Sequence, residues 1–585
     1  MKLKGYICER LVDHGITTCF YVNGGAIAPL IDQVAHDERF ESYACLHEAS
    51  AAYAAEGFTR RTGKTSAVLV TSGPGGTNAI TGLNCCWADS IPVIFFSGQV
   101  SSNQLLGENR IRQRGVQETD IIKLTKNISK VSLRVEKGDD CIYVDQALSE
   151  MIEGRQGPVW IDLCIDSLNQ EITSRYQSNI ATKEQKSVIT GKWRLEDALI
   201  QGLTESKKPL IIAGAGVAQS VILRGHLKDL DIPITSTWGG QAFVSDAKHY
   251  AGNIGLFGDR GANSAVQEAD LIIAIGTSLN ICHTGYDSKN FGRNALLLHM
   301  DIDEGEINKN NYHARYIGIQ VDLRESKEQY EIIQMLKPLN VDQKWLQRVK
   351  QRAGYTAVKE NLNTTRESGF VNSYDLVDIV SKSEYDFDIV TDMGTSFTCT
   401  HQSFKQTVSR RIITAGGHAP MGWGIAGAIG AAIGARDKKV VCITGDGGML
   451  MSLQDLRTHT ALNLNILNIV LDNNGYLTMR HTMRNTFGRL SGCSAESGIM
   501  NPDFRLLAES MGMPYIYVDG LDVFEKNFKK IMEIDTIGPK MLHVKMHEDQ
   551  ELKPRLASYV DAGGVKYNYP LENMYPHNNK EYEEL

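Results

Sequence analysis

Short apolar runs that end in glycine-rich or acidic loops recur along the whole chain, and they constrain its fold more than any other feature. Ala67–Val70, Pro92–Phe96 and Pro158–Leu163 form a first set. Pro209–Ala213, Leu271–Ile275 and Leu296–Met300 form a second, ending in GAGV, GTSLN and DIDEGE. Ile389–Thr391, Val440–Ile443, Ile466–Leu471 and Met541–Val544 form a third. Runs of this length read as strands buried on both faces, with helix-length stretches between them as crossovers. The fold class is therefore α/β, with three doubly wound parallel-sheet domains. Their bounds are 1–168, 190–340 and 371–550, with polar stretches at 169–190 and 341–370 as linkers and 551–585 as an extended arm. The first and third blocks are similar in length, and are expected to share a fold.

Bulk properties exclude several classes. The chain has 585 residues, 42% of them hydrophobic and 22% charged, enough to bury large cores. A net charge of -8 gives no bulk basic footprint for nucleic acid or an anionic membrane. Eleven cysteines, one adjacent pair among them, show no CxxC or metal-ligand spacing and read as reduced thiols of a cytoplasmic protein. The start, MKLKGYICERLVDHG, has no apolar core of a signal peptide. The Gly/Ala/Ile stretch Ile425–Ala435 is too short to span a bilayer. No nucleic-acid partner and no membrane are expected.

The third block carries the strongest chemical signal. The strand Val440–Ile443 leads into Thr444-Gly445-Asp446-Gly447-Gly448, and Ile466–Leu471 leads into Asp472-Asn473-Asn474-Gly475. Asp446 and Asn473 are 27 positions apart, room for one helix between parallel strands, so both fall at the same sheet edge. A carboxylate and an amide carbonyl are hard oxygen ligands of the kind Mg²⁺ takes beside phosphate oxygens. Glycines around them let backbone N–H groups approach a diphosphate. Either loop alone would be an ordinary turn; the pair at this spacing is far more specific.

In this pair the chain resembles the thiamine-diphosphate enzymes, and further segments resemble acetolactate synthases along nearly its whole length. In HEASAAYAAEGFTRRTG (47–63), Glu48 resembles the glutamate that activates the cofactor by hydrogen bonding to its pyrimidine ring. Asn23-Gly24-Gly25-Ala26 resembles the family's Gly-Gly-Ala loop, with Asn23 for the usual Pro. Ser72–Asn78, which includes Pro74, resembles its strand-to-helix glycine turn. Gly115–Asp120 resembles its Phe-Gln-Glu loop, with Val116 for Phe. Gly417–Gly422 matches its Gly-x-x-x-Met-Gly turn.

The resemblance implies catalytic roles for Glu48, Gln117 and Met421. It gives cofactor contacts to Gly24, Gly25, Ala26, Pro74, Asn78, Ala419, Met421, Gly445, Asp446, Gly447, Gly448, Asn473, Gly475 and Tyr476. Its metal ligands are Asp446, Asn473 and Gly475. It also implies a homodimer or tetramer, in which Glu48 of one chain meets Asp446 and Asn473 of another. The cofactors the resemblance implies are thiamine diphosphate and Mg²⁺. FAD is a further candidate for the central block, where Gly252–Gly258, Gly214-Ala215-Gly216 and Asp301/Asp303 resemble the synthases' flavin region. Their Asp-Asp-Arg stretch is replaced here by Gly276–Asn280.

Some departures bear on the substrate. The synthases' tryptophan downstream of the Asn pair is missing from Gly475–Thr482, as is the glutamate that pyruvate-type decarboxylases carry shortly after that pair, and the paired histidines of those decarboxylases are missing from the corresponding positions of the first block. A decarboxylase needs a positioned acid, whereas a carboligase keeps protons away from the reacting carbon. Met479 is expected near that carbon. NNGYLTMRHT also resembles a branch that joins a two-carbon unit to nucleotide-linked 4-keto sugars, as in yersiniose formation. Arg110, Arg112 and Arg114, with Arg480, His481 and Arg484, are the residues suited to an anionic substrate. The expected function is a carboligase that decarboxylates pyruvate and passes two carbons to a keto acid or keto sugar. A simple 2-keto-acid decarboxylase and a non-catalytic scaffold are the alternatives.

Overall fold

The computed structural model describes residues 1–107, 111–139, 141–172, 202–309, 312, 315–361, 369–533, 537–560, 563, 566–577 and 579–584. Arg110 and most of the 169–190 linker lie outside these residues.

Among the described residues are three six-stranded parallel sheets and one small antiparallel pair, Ser558–Val560 with Lys566–Asn568. The first contains β1 (Thr18–Tyr21), β2 (Glu41–Ala44), β3 (Ser66–Val70), β4 (Val93–Gln99), β5 (Ser132–Val135) and β6 (Val159–Cys164), in the order β2-β1-β3-β4-β6-β5. The third contains β13 (Phe387–Thr391), β14 (Ile412–Ile413), β15 (Lys439–Gly445), β16 (Ile466–Asp472), β17 (Tyr515–Val518) and β18 (Lys540–Lys545). Its order, β14-β13-β15-β16-β18-β17, repeats that of the first sheet position for position. The central sheet contains β7 (Pro209–Ala213), β8 (Ile234–Ser236), β9 (Tyr250–Asn253), β10 (Leu271–Ile275), β11 (Leu296–Asp301) and β12 (Tyr316–Gln320), ordered β12-β11-β10-β7-β8-β9. That order is the doubly wound pattern of dinucleotide-binding folds. Every residue of β3, β4, β7 and β10 is buried, as sheets covered on both faces require.

The chain divides into two compact units. One comprises Met1–Thr182, Tyr385–Phe397 and Ile412–Glu548; the other comprises Lys183–Glu384, Thr398–Arg411 and Asp549–Leu585. The first unit therefore holds both outer sheets, joined by one helix from each. The helix Glu48–Thr62 packs on the helix Trp423–Gly434, the Gly/Ala/Ile stretch that is too short to cross a bilayer. Small residues bring the two backbones together. A Cβ on Gly57 would strike the carbonyl of Gly427, and one on Gly430 would strike that of Ala54. Ala51, Ala55, Phe58, Trp423 and Ile429 fill the space around this contact. Buried polar groups cross it as well. Glu56 takes hydrogen bonds from Trp423 Nε1 at 2.7 Å and from Arg60, and Ser50 donates to Asp455.

In the second unit the tail is not an extended arm. Leu571, Met574 and Tyr582 are buried. Arg260, paired with Glu360, donates to the carbonyls of Met574 and Pro576 at 2.9 and 2.8 Å. A buried guanidinium with five donors fixes the tail through backbone acceptors that need partners of their own. Among the described residues, no helix is long and apolar enough to cross a membrane.

Candidate active site

Every predicted site residue lies at the carboxyl end of a strand in one of the two outer sheets, where parallel sheets open their ligand crevices. On the first sheet, Gly24–Ala26 follow β1, Glu48 follows β2, Pro74 and Asn78 follow β3, and Gln117 lies beyond β4. On the third, Ala419 and Met421 follow β14, Asp446 follows β15, and Asn473, Gly475 and Tyr476 follow β16.

The first-sheet group is held together locally. Glu48 opens its helix behind His47, whose ring accepts from the Ala49 N–H, and an acid in the first turn suits the helix dipole. Glu48 Oε2 accepts from Asn78 Nδ2 at 2.9 Å, so two separately predicted residues meet. Pro74 starts the next helix behind Gly73, whose φ is +59°. A Cβ on Gly73 would sit 2.6 Å from the Gln117 carbonyl, which places the Gln117 loop against this turn. Gln117 itself has φ +59° and is exposed, a left-handed backbone that costs a non-glycine residue free energy. Glu118 secures the loop by accepting from the N–H groups of Gly115 and Arg114 at 2.9 and 3.1 Å. The Gly24–Ala26 loop packs on Thr71 and Gly98.

In the third-sheet group, Asp446 is 1% exposed. Its Oδ2 accepts from the Gly475 N–H at 2.7 Å and from Asn501 Nδ2 at 2.8 Å. The Asp446 and Asn473 loops are thus tied to each other, as their spacing predicts. Burial raises the Asp446 carboxyl above the usual range, and neighbouring Asp472 adds to this. Burial would raise Asp472 too, but hydrogen bonds from His543 and the Asn474 N–H hold it low. Tyr476 lies over Gly447, where a Cβ would strike its ring. Ala419, with φ +58°, and Met421 sit in a turn that meets the first-sheet helix through Asn84 and His418, 2.8 Å apart.

Family models match three segments of the chain. The N-terminal TPP binding domain of thiamine pyrophosphate enzymes matches residues 1–124, the central domain 197–329, and the C-terminal TPP binding domain 392–544. The chain belongs to the thiamine pyrophosphate enzyme family. Within the family it is of the acetolactate-synthase type. It is 31% identical to the acetolactate synthase isozyme 2 large subunit of Escherichia coli (strain K12), over 94% of this chain and 96% of that one. Identity is also 31% to the acetolactate synthase large subunit of Haemophilus influenzae (94% and 95%), and 30% to that of Lactococcus lactis (94% and 93%).

The residues fit the family's cofactor and metal. Both N–H donors on Asp446 go to Oδ2, and a buried carboxylate in a glycine-rich loop is a hard oxygen ligand suited to a cation. A Cβ on Gly445 or on Gly25 would meet nothing within 4 Å, so neither glycine is required by its neighbours and each leaves room for a ligand. Among the described residues no three His, Cys, Asp or Glu side chains gather around a cation. A metal at Asp446 would therefore draw its remaining ligands from Asn473, the Gly475 carbonyl and the diphosphate.

The central-sheet glycines behave differently. A Cβ on Gly214 or Gly216 would strike Gly276, and one on Gly255 would strike Cys282. Contacts within the domain already account for these glycines. They give no fit of their own to a flavin, and no step is assigned to one.

Sequence reasoning missed two residues, Asp392 and Asn501. Asp392, fully buried at the end of β13, accepts from the Gly422 N–H at 3.0 Å and from Gly424 at 3.3 Å, and lies against Gly448. It thereby holds the Met421 turn to the diphosphate loop, and burial lifts its carboxyl to about 6. Only its position directly after a strand could have marked it. Asn501 lies in a loop with no strand signal at all.

One expectation is corrected. Arg480 does not face a substrate. It is 1% exposed, donates to the Asn473 carbonyl at 2.9 Å and pairs with Glu548 at 3.4 Å. Its helix, Leu477–Phe487, turns position 480 inward and leaves Met479 46% exposed.

Proposed function

We propose that this enzyme decarboxylates pyruvate and joins the remaining two-carbon unit to a carbonyl acceptor. The observation that carries this is the Asp446–Gly475 hydrogen bond, which unites the two loops of the diphosphate–metal motif beside an open Gly445. The names of the synthase relatives support pyruvate as donor and a second keto acid as acceptor.

Bound thiamine diphosphate supplies the electron sink into which the bond to the departing CO₂ breaks. The chain's own residues do the rest. Glu48 holds a proton at the pyrimidine ring, oriented by Asn78. Asp446, Asn473 and the Gly475 carbonyl would hold the cation that neutralises the diphosphate. Met421 would support the cofactor from its turn, and Gln117 would line the site on the first-sheet side. No histidine pair or second glutamate stands at the decarboxylase positions to deliver a proton, which favours ligation over aldehyde release.

The site draws on two chains. Leu46 beside Glu48, Val116 beside Gln117, Met479 on the helix after Asn473 and Met500 beside Asn501 are 59%, 85%, 46% and 77% exposed. Exposed large apolar side chains beside the polar residues of each group support an interface that covers them.

Thermal unfolding with thiamine diphosphate and Mg²⁺ tests the assignment. The two together should raise the unfolding midpoint of the wild type and leave Asp446→Ala unmoved. An equal rise in both proteins would refute the metal site. Supplying a keto acid or a nucleotide-linked keto sugar as acceptor then separates the two acceptor classes.

A further inference from the structure

We infer that Asn501 is the positioning residue that sets Asp446 for a divalent cation, an inference that rests on the metal reading above. Asn501 Nδ2 donates to Asp446 Oδ2 at 2.8 Å and to Asp472 Oδ1 at 3.0 Å. An amide nitrogen has two hydrogens, and here each goes to a different carboxylate. Two carboxylates flanking one amide also fix which way it faces, since its oxygen would be repelled by both. The Asn501 carbonyl oxygen is buried without a partner, so this side chain is held by its nitrogen alone.

Without that nitrogen, two acids on neighbouring strands would share a buried space with no donor between them, an arrangement costly at low dielectric. Asp472 is held further by the Asn474 N–H, which donates to the same Oδ1 at 3.0 Å, and by His543 Nε2 on Oδ2 at 2.8 Å. His543 Nδ1 in turn meets Tyr515 OH at 2.8 Å. A continuous chain thus runs from Tyr515 on β17 through His543, Asp472 and Asn501 to Asp446. Its effect is to hold Asp446 by Oδ2 and so fix the direction its carboxylate faces. Hydrogen bonds of this kind orient a ligating carboxylate, and losing one typically weakens metal binding about 10- to 100-fold.

The test uses the full chain with thiamine diphosphate and Mn²⁺ as the probe, free Mn²⁺ being counted by electron paramagnetic resonance. Asn501→Ala removes the bridge. Asn501→Asp keeps its shape but offers no N–H to either carboxylate, and decides the matter if the alanine variant does not fold. The Mn²⁺ concentration for half-saturation should rise about 10- to 100-fold in each folded variant. The thermal midpoint of the metal-free protein is recorded beside it. A lowered midpoint with Mn²⁺ half-saturation within about twofold of wild type would mean a role in folding alone and would overturn the inference. If the wild type binds no Mn²⁺, the metal reading falls and takes this inference with it. If the wild type binds and both variants match it, only the role of Asn501 falls.

Discussion

Asn78 donates a 2.9 Å hydrogen bond to the carboxylate of Glu48. The bond joins the N-terminal parts of two helices that leave β2 and β3, strands with β1 between them, so the carboxylate is aimed by the sheet edge and not by its own rotamer alone. Glu48→Gln keeps the shape and the acceptor for Asn78 but cannot exchange a proton. Cofactor-dependent turnover should fall by about 10²- to 10⁴-fold, with the circular-dichroism spectrum and thermal midpoint unchanged. Steady-state rates at saturating cofactor check this.

A site shared between chains makes a separate prediction. Glu48→Gln and Asp446→Ala each disable every site in a pure oligomer. Mixed dimers would carry one site with both residues intact, so random reassortment in equal amounts should restore about a quarter of wild-type activity. Mixing that restores nothing, under conditions where subunits exchange, would place both residues in sites within a single chain.

Packing of the two small-residue helices is also testable. Gly430→Ala drives a methyl into the Ala54 carbonyl, which is backbone and cannot rotate away. Overpacking of this kind costs about 1–3 kcal/mol, and more where neither helix can shift. Chemical denaturation of the variant should show this loss.

The parallel α/β class and the likeness of the first and third blocks follow from features visible in sequence, apolar runs of strand length with glycine-rich loops after them, whereas the order of the strands does not. The spacing of Asp446 and Asn473 was legible because one helix of fixed rise must return the chain to the next parallel strand. Asn501 was not legible, because its value lies in reaching two carboxylates from a loop whose path no periodicity encodes. Arg480 was misread for a related reason. Arginines grouped in a polar segment suggest side chains open to an anionic substrate, and only the helix phase after Tyr476 shows that position 480 points inward.

His459 is fully buried, with Nε2 against the Ile425 carbonyl at 2.9 Å. Burial lowers its pKa to about 4, opposed by that hydrogen bond. The folded form therefore holds the neutral ring, while the unfolded chain takes up a proton near 6.5. Its contribution to stability is complete above 6.5 and is lost as pH falls toward 4, amounting to about 2–3 kcal/mol. The stability difference between wild type and His459→Gln, measured by denaturant from pH 7 to 4, should shrink across that window. A constant difference would show that the ring is protonated in the folded state.

Pyruvate labelled with carbon-13 in its keto and methyl carbons gives the most direct test of the proposed reaction. It would be incubated with the enzyme, thiamine diphosphate, Mg²⁺ and each candidate acceptor, and the label located by mass spectrometry. A carboligase places both labelled carbons in one product, bonded to the former carbonyl carbon of the acceptor, with CO₂ released in equal amount. Labelled acetaldehyde as the sole product, whatever acceptor is supplied, would contradict ligation and make the enzyme a decarboxylase.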